Sequence, residues 1–341
     1  MNAIRDRYGG RRKVPFIWIA MVAAAALGLV SLGAFGSVWG VFKGTTASAG
    51  NQVAGASDWV APTAGTPIVQ KVAGGTPGFI RAGGAYRIYV NATDAGNPAS
   101  GIASVTGNAG AITSGQTAAA LASGTFMVWG QSYGFGSSSL TAGAALAAGT
   151  YGFSLTSTDN AGNARTQTGY TVVVDNTAPT GSDVQTANVA AGTDGLAEPG
   201  DSITFTFSEP IDPGSIVSGW TGSAPVNAVV RLGDGGTHDD TLAVYNATNT
   251  TEFPLGSVDL GRNDYTNTNI TFGATGTPST IALSGNSLVL TLGTESAAAH
   301  KAMGTGTMKW TTSPPAGATD RAGNPLTASL VTESGAAVKA F

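Results

Sequence analysis

Residues 149–180 read GTYGFSLTSTDNAGNARTQTGYTVVVDNTAPT. Tyr151, Phe153 and Leu155 fall on alternate positions before Asp159-Asn160-Ala161-Gly162-Asn163, and Tyr170, Val172 and Val174 alternate after it. A period of two sends successive side chains to opposite faces of a strand. The Asp, Asn and Gly between the runs bond their own backbone or accept left-handed geometry. The stretch therefore predicts a β-hairpin, with strands over Tyr151–Thr158 and Thr168–Val174.

The same grammar extends outward. Tyr86–Thr93 alternates, with Tyr86, Ile88, Val90 and Ala92 on one face and Arg87, Tyr89 and Asn91 on the other. Ser202–Phe207, Val226–Leu232, Thr241–Tyr245 and Ser287–Leu292 read as further strands. A repeat organises them. Ala61-Pro62-Thr63 recurs 117 residues later as Ala178-Pro179-Thr180, and at that offset Gly83 maps to Gly200 and Tyr86, Ile88, Val90 to Ile203, Phe205, Phe207. Asp159-Asn160-Ala161-Gly162-Asn163 returns as Asp320-Arg321-Ala322-Gly323-Asn324, so the second unit holds about 44 extra residues. The expected organisation is a leader over 1–49, a linker over 50–60, one domain over 61–177 and another over 178–341 with an insertion at about 233–301. The expected fold is all-β: two tandem immunoglobulin-like β-sandwiches, each of two antiparallel sheets, behind one N-terminal hydrophobic helix.

These runs resemble bacterial Ig-like domains of surface proteins. Residues 149–180 are similar to their last hairpin and Asp-Asn-Thr-Ala-Pro linker, and GDSITFTFSEPIDPGSI (200–216) to a strand of S-layer-type Ig-like modules. The resemblance implies a fold, and such folds serve many roles.

Residues 14–42 carry no charge and are long enough for a helix to cross a hydrocarbon core of about 30 Å. Arg5, Arg7, Arg11, Arg12 and Lys13 precede them, which predicts export of everything after Lys43. Ala47-Ser48-Ala49 offers a cleavage pattern for a signal peptidase, and an uncleaved membrane anchor reads equally from the length of the run. The segment through Gly50-Asn51-Gln52-Val53-Ala54-Gly55 also resembles SipW-type export signals, a pairing similar to actinobacterial surface proteins. From Gly50 onward ten Lys or Arg face nineteen Asp or Glu, and this acidic body without a basic patch argues against nucleic acid.

The chain has no Cys, which removes disulfides, thiolate nucleophiles and cysteine-ligated metals. Its two histidines, His238 and His300, stand far apart, and no His-Glu-x-x-His, Gly-x-Ser-x-Gly or phosphate-loop pattern occurs. His238 beside Asp234, Asp239 and Asp240 reads as a solvated turn in preference to a metal site. Glu209 and Asp212 read as a strand end and a backbone cap, not as an acid–base pair. Asp94, Asp159, Asp175 and Asp320 are candidate calcium ligands, but one Asp per turn is a thin supply for six to eight oxygens. Trp59, Trp129, Trp220 and Trp310 are read as core filling before a glycan-stacking platform. No residue is assigned to catalysis, to a cofactor or to a metal. The expected function is a non-catalytic structural or adhesive protein of the cell surface or matrix, with a glycan- or calcium-binding module, served by the second-domain insertion, as the alternative. The expected partners are the membrane, through an uncleaved N-terminal segment, and other surface proteins or glycans.

Overall fold

The computed structural model describes residues 57–312 and 317–341. The leader, with its expected helix over 14–42, lies outside them, and among the described residues no helix is long and apolar enough to cross a membrane. Ser57–Phe341 forms one compact unit, nearly all strand.

Eleven strands precede Val174: β1 (Thr63–Ala64), β2 (Ile68–Lys71), β3 (Phe79–Ile80), β4 (Ala85–Val90), β5 (Ala92–Thr93), β6 (Ile102–Asn108), β7 (Ala119–Val128), β8 (Gln131–Ser137), β9 (Leu140–Thr141), β10 (Gly149–Asp159) and β11 (Ala164–Val174). β1 and β5 pair alone, and the other nine form one sheet in the order β2-β4-β8-β7-β6-β10-β11-β3, with β9 also on β4. The remainder holds β12 (Gly181–Ala187), β13 (Ser202–Phe207), helix α1 (Pro213–Ile216), β14 (Val226–Gly233), β15 (Thr241–Asn246), β16 (Glu252–Asp259), β17 (Ile270–Phe272), β18 (Ser279–Ser284), β19 (Ser287–Thr291), β20 (Lys309–Thr311) and β21 (Leu330–Thr332). Its ten strands form a second sheet, β12-β13-β19-β18-β14-β15-β16-β20-β21, with β17 on β14.

Two separate sheets facing one another were expected around each core. Instead each core is wrapped by one continuous, nearly barrel-like sheet. The first roll is drawn together where β3 runs parallel to β11 while Gly78 N donates to Val69 O (2.7 Å) beside β2. In the second, Ser334 N and Oγ donate to Asp183 of β12 (2.9 and 2.8 Å) from the stretch after β21. Bulges supply the curvature. In the β10–β11 hairpin Ser154 opposes both Thr168 and Gly169, and Gly169 takes a φ of +88°, the left-handed geometry that a bulge of this kind asks of glycine.

Alternation decides the cores. Tyr86, Ile88, Val90, Leu155, Val172 and Val174 are buried in the first, as period two predicts. In the second, Phe205 and Phe207 pack edge-on to the fully buried Trp310, at 5.1 and 5.2 Å between ring centroids, and the Trp310 indole donates to Leu255 O (2.7 Å). Burying that ring while satisfying its N–H makes it the anchor of the core.

Removing β15 and β16 from the second order leaves β12-β13-β19-β18-β14-β20-β21, which matches β2-β4-β8-β7-β6-β10-β11 in space and along the chain. Residues 233–301 hold β15 to β19, of which β15 and β16 widen the sheet in its middle.

The two rolls meet through a buried ion pair. Lys71 Nζ of β2 donates to Asp212 Oδ2 and to Arg321 O (2.7 Å). Asp212 also caps α1, accepting from Gly214 N (3.1 Å), and takes Thr76 N (3.2 Å) from the first roll. Arg321 lies over the Phe79 ring at 4.0 Å. Gly75 fits here because it has no Cβ: one would stand 1.8 Å from Asp212 Oδ2.

Candidate metal centres

Three carboxylates converge at each of two places: Asp58, Asp94 and Asp159, and Asp175, Glu209 and Asp320. In each group one oxygen from every residue lies within 4.8 Å of the others. Oxygens on opposite sides of a calcium ion bound at about 2.4 Å are about 4.8 Å apart, so each trio fits one coordination sphere.

The two trios are built alike. Asp159 and Asp320 open the equivalent Asp-x-Ala-Gly-Asn turns and are almost wholly buried. Asn163 N and Nδ2 donate to Asp159 Oδ1 and Oδ2, both at 2.8 Å, and Nδ2 also reaches Asp58 O (2.9 Å). Asn324 N and Nδ2 do the same to Asp320, at 2.7 and 2.8 Å, and Nδ2 reaches Asp175 O (2.9 Å). Each turn therefore latches onto the residue three positions before the repeated Ala-Pro-Thr, Asp58 or Asp175. The third ligand follows the strand paired with the start of the roll: Asp94 lies just past β5, and Glu209 two residues past β13.

Their electrostatics differ. In the first trio backbone amides absorb the charge. Asp58 accepts from Val60 N (3.0 Å) and Ser100 N (2.8 Å), and these amides hold its carboxyl below the usual range. Asp94 accepts from Gly101 N (2.7 Å) and Gly96 N (3.3 Å). In the second trio Glu209 Oε1 is shielded from solvent and has no hydrogen-bond partner. Burial first, then the charges of Asp175 and Asp320, push its carboxyl up to about 7. Burial likewise raises Asp320. Among the described residues no Lys or Arg pairs with any of the six carboxylates. A divalent cation would supply the missing positive charge and restore Glu209 to its ionised form.

The other expectations separate. Asp94, Asp159, Asp175 and Asp320 come from separate turns, but the turns converge: the four divide between the two trios, joined by Asp58 and Glu209. Glu209 and Asp212 part company, the first to the trio and the second to the Lys71 pair. Asp240 is buried, but its carboxylate accepts from Gly235, Tyr265 and Thr266 amides, while His238 is exposed. Trp220 and Trp310 fill core, whereas Trp59 is 82% exposed and Trp129 only half-buried, so the reading of all four as core is corrected for these two. The signal for Asp58 lay in the 117-residue offset, which places it on Asp175.

No family model matches the chain, and no curated protein matches it. Among solved structures, the C-terminal domain of the Streptococcus pyogenes antigen I/II-family protein AspA aligns over 80% of this chain and 99% of that one, at 11% identity and a TM-score of 0.18.

Proposed function

We propose that the chain is a non-catalytic, exported structural protein of the cell surface or extracellular matrix, and that divalent cations, calcium foremost, stiffen its two Ig-like units. The observation that carries the cation is the duplicated carboxylate trio with its Asn latch. The second trio draws Asp175 from the end of the first roll and Glu209 and Asp320 from the second, so an ion there ties one unit to the next. The uncharged run behind a basic N-terminus supports export, and the dearth of His and Cys supports a role without catalysis.

Calorimetric titration and thermal unfolding test the cation. Two calcium ions should bind per chain, and the melting temperature should fall when EDTA removes them. Absence of both effects refutes the cation. Cell fractionation tests the rest: a cytosolic chain refutes the surface role.

A further inference from the structure

Arg87 and Tyr89 of β4 project from the outer face of the first roll into a depression of about 360 Å³, walled also by Gln70, Met127 and Trp129. Through Gln70, Gly74 and Trp129 it continues into a hollow of about 300 Å³ that runs onto the loop after α1. Neither hollow is lined by an Asp or Glu. Lys71 is committed to Asp212, but Arg87 forms no ion pair among the described residues, and its Nε is shielded from solvent with no acceptor. In a body carrying a net excess of acid, an unpaired guanidinium in an acid-free groove has the charge and the donors that an anion needs.

Aromatic rings flank it. Tyr89 packs at a tilt against Phe126 and Tyr133, at 5.5 and 6.3 Å between ring centroids, and Met127 beside them is 69% exposed. Trp129 occupies the tip of the β7–β8 hairpin with φ of +52°, followed by Gly130 at +75°. A two-residue turn with both φ values positive favours Asn-Gly, and a bulky side chain there is strained. Such strain persists where a side chain has a use.

We propose that this groove binds an acidic polysaccharide, with Arg87 on a sugar carboxylate and Trp129 against a pyranose face. The two hollows run together through Gln70, Gly74 and Trp129, which suits a chain. β4 is already paired on both sides, by β2 and by β8 and β9, so no free strand edge invites an extended peptide. One cation suits a polymer with a charge on every ring or second ring better than a nucleic acid, which needs several.

The test is calorimetry in EDTA with a hyaluronan hexasaccharide, a galacturonate hexamer, their carboxyl-reduced neutral counterparts and a Glu-rich peptide. At least one acidic oligosaccharide should bind about tenfold tighter than its neutral counterpart. Arg87→Gln should lose about tenfold in affinity with an unchanged melting temperature, and Arg87→Lys less. Trp129→Gly separates binding from folding: it relieves the strained φ, so the protein should melt no lower while the oligosaccharide is lost. Binding of the neutral sugar equally well, capture of the peptide in place of sugar, failure of both acidic oligosaccharides, or full affinity in Arg87→Gln each overturns the proposal.

Discussion

Glu209→Gln isolates the charge problem of the second trio. A carboxyl at about 7 in the folded chain and near 4.5 unfolded keeps its proton through that interval only when folded. Folding stability is therefore highest at the acid end of the window and is lost as pH rises from about 4.5 to 7. The full difference amounts to about 3 kcal/mol. Partial solvent contact screens it, leaving about 1–2 kcal/mol. Glutamine keeps the shape and never ionises. In EDTA at pH 8 the variant should therefore be more stable than the parent by about 1–2 kcal/mol, some 2–4 °C for each kcal/mol. At pH 4.5 the two should coincide. With calcium the order reverses, because the parent gains about 2.7 kcal/mol at a hundredfold excess over its dissociation constant and the variant has lost a ligand. Urea unfolding at pH 4.5, 6 and 8, with EDTA or calcium, reads all three. A variant less stable than its parent at pH 8 in EDTA refutes the reasoning.

Three further outcomes follow from the geometry. Asp159→Asn removes one charge from the first trio, and calcium titration should then count one ion where the parent binds two. Gly75→Ala drives a Cβ into Asp212 and cannot hold φ of +89° comfortably, so calorimetry should show the two rolls melting apart instead of together. Trp310→Ala empties the second core and should cost about 3–5 kcal/mol by denaturant unfolding, with far-ultraviolet dichroism intact at low denaturant.

Alternation made the strands legible. Residues 86–90 and 202–207 have hydrophobes on one face only, and a one-residue slip would expose all of them. The hairpin at 159–163 was legible from turn chemistry. The rolling of the first sheet was not, because it draws on a bulge whose partner residue, Ser154, carries no signal of its own. Four of the six trio carboxylates were visible as Asp in turns. Their convergence was not, because Asp159 meets Asp58 across 101 residues and Asp320 meets Asp175 across 145. Only the repeat register relates those distances. The Lys71–Asp212 pair lies outside even that register, since a contact between units has no copy within them.

The place of the additional strands bears on what the duplication preserves. β15 and β16 enter between β14 and β20, displacing the edge-to-edge partners of the middle of the sheet. The carboxylates sit elsewhere: at the start of the unit, just beyond β13, and in the turn between β20 and β21. Those segments keep the same Asn latch, to within about 0.1 Å per hydrogen bond, in a roll whose shared strand order is interrupted by β15 and β16. A turn that needed only internal satisfaction could close on its own Asp and Asn, without reaching the carbonyl of Asp58 or Asp175. Reaching it brings three carboxylates together, and at the second trio burial and the charges of Asp175 and Asp320 push the Glu209 carboxyl up to about 7. The same latch, kept in two sheets of different width and at a cost in like charge at the second, supports the proposal that the trios hold a cation.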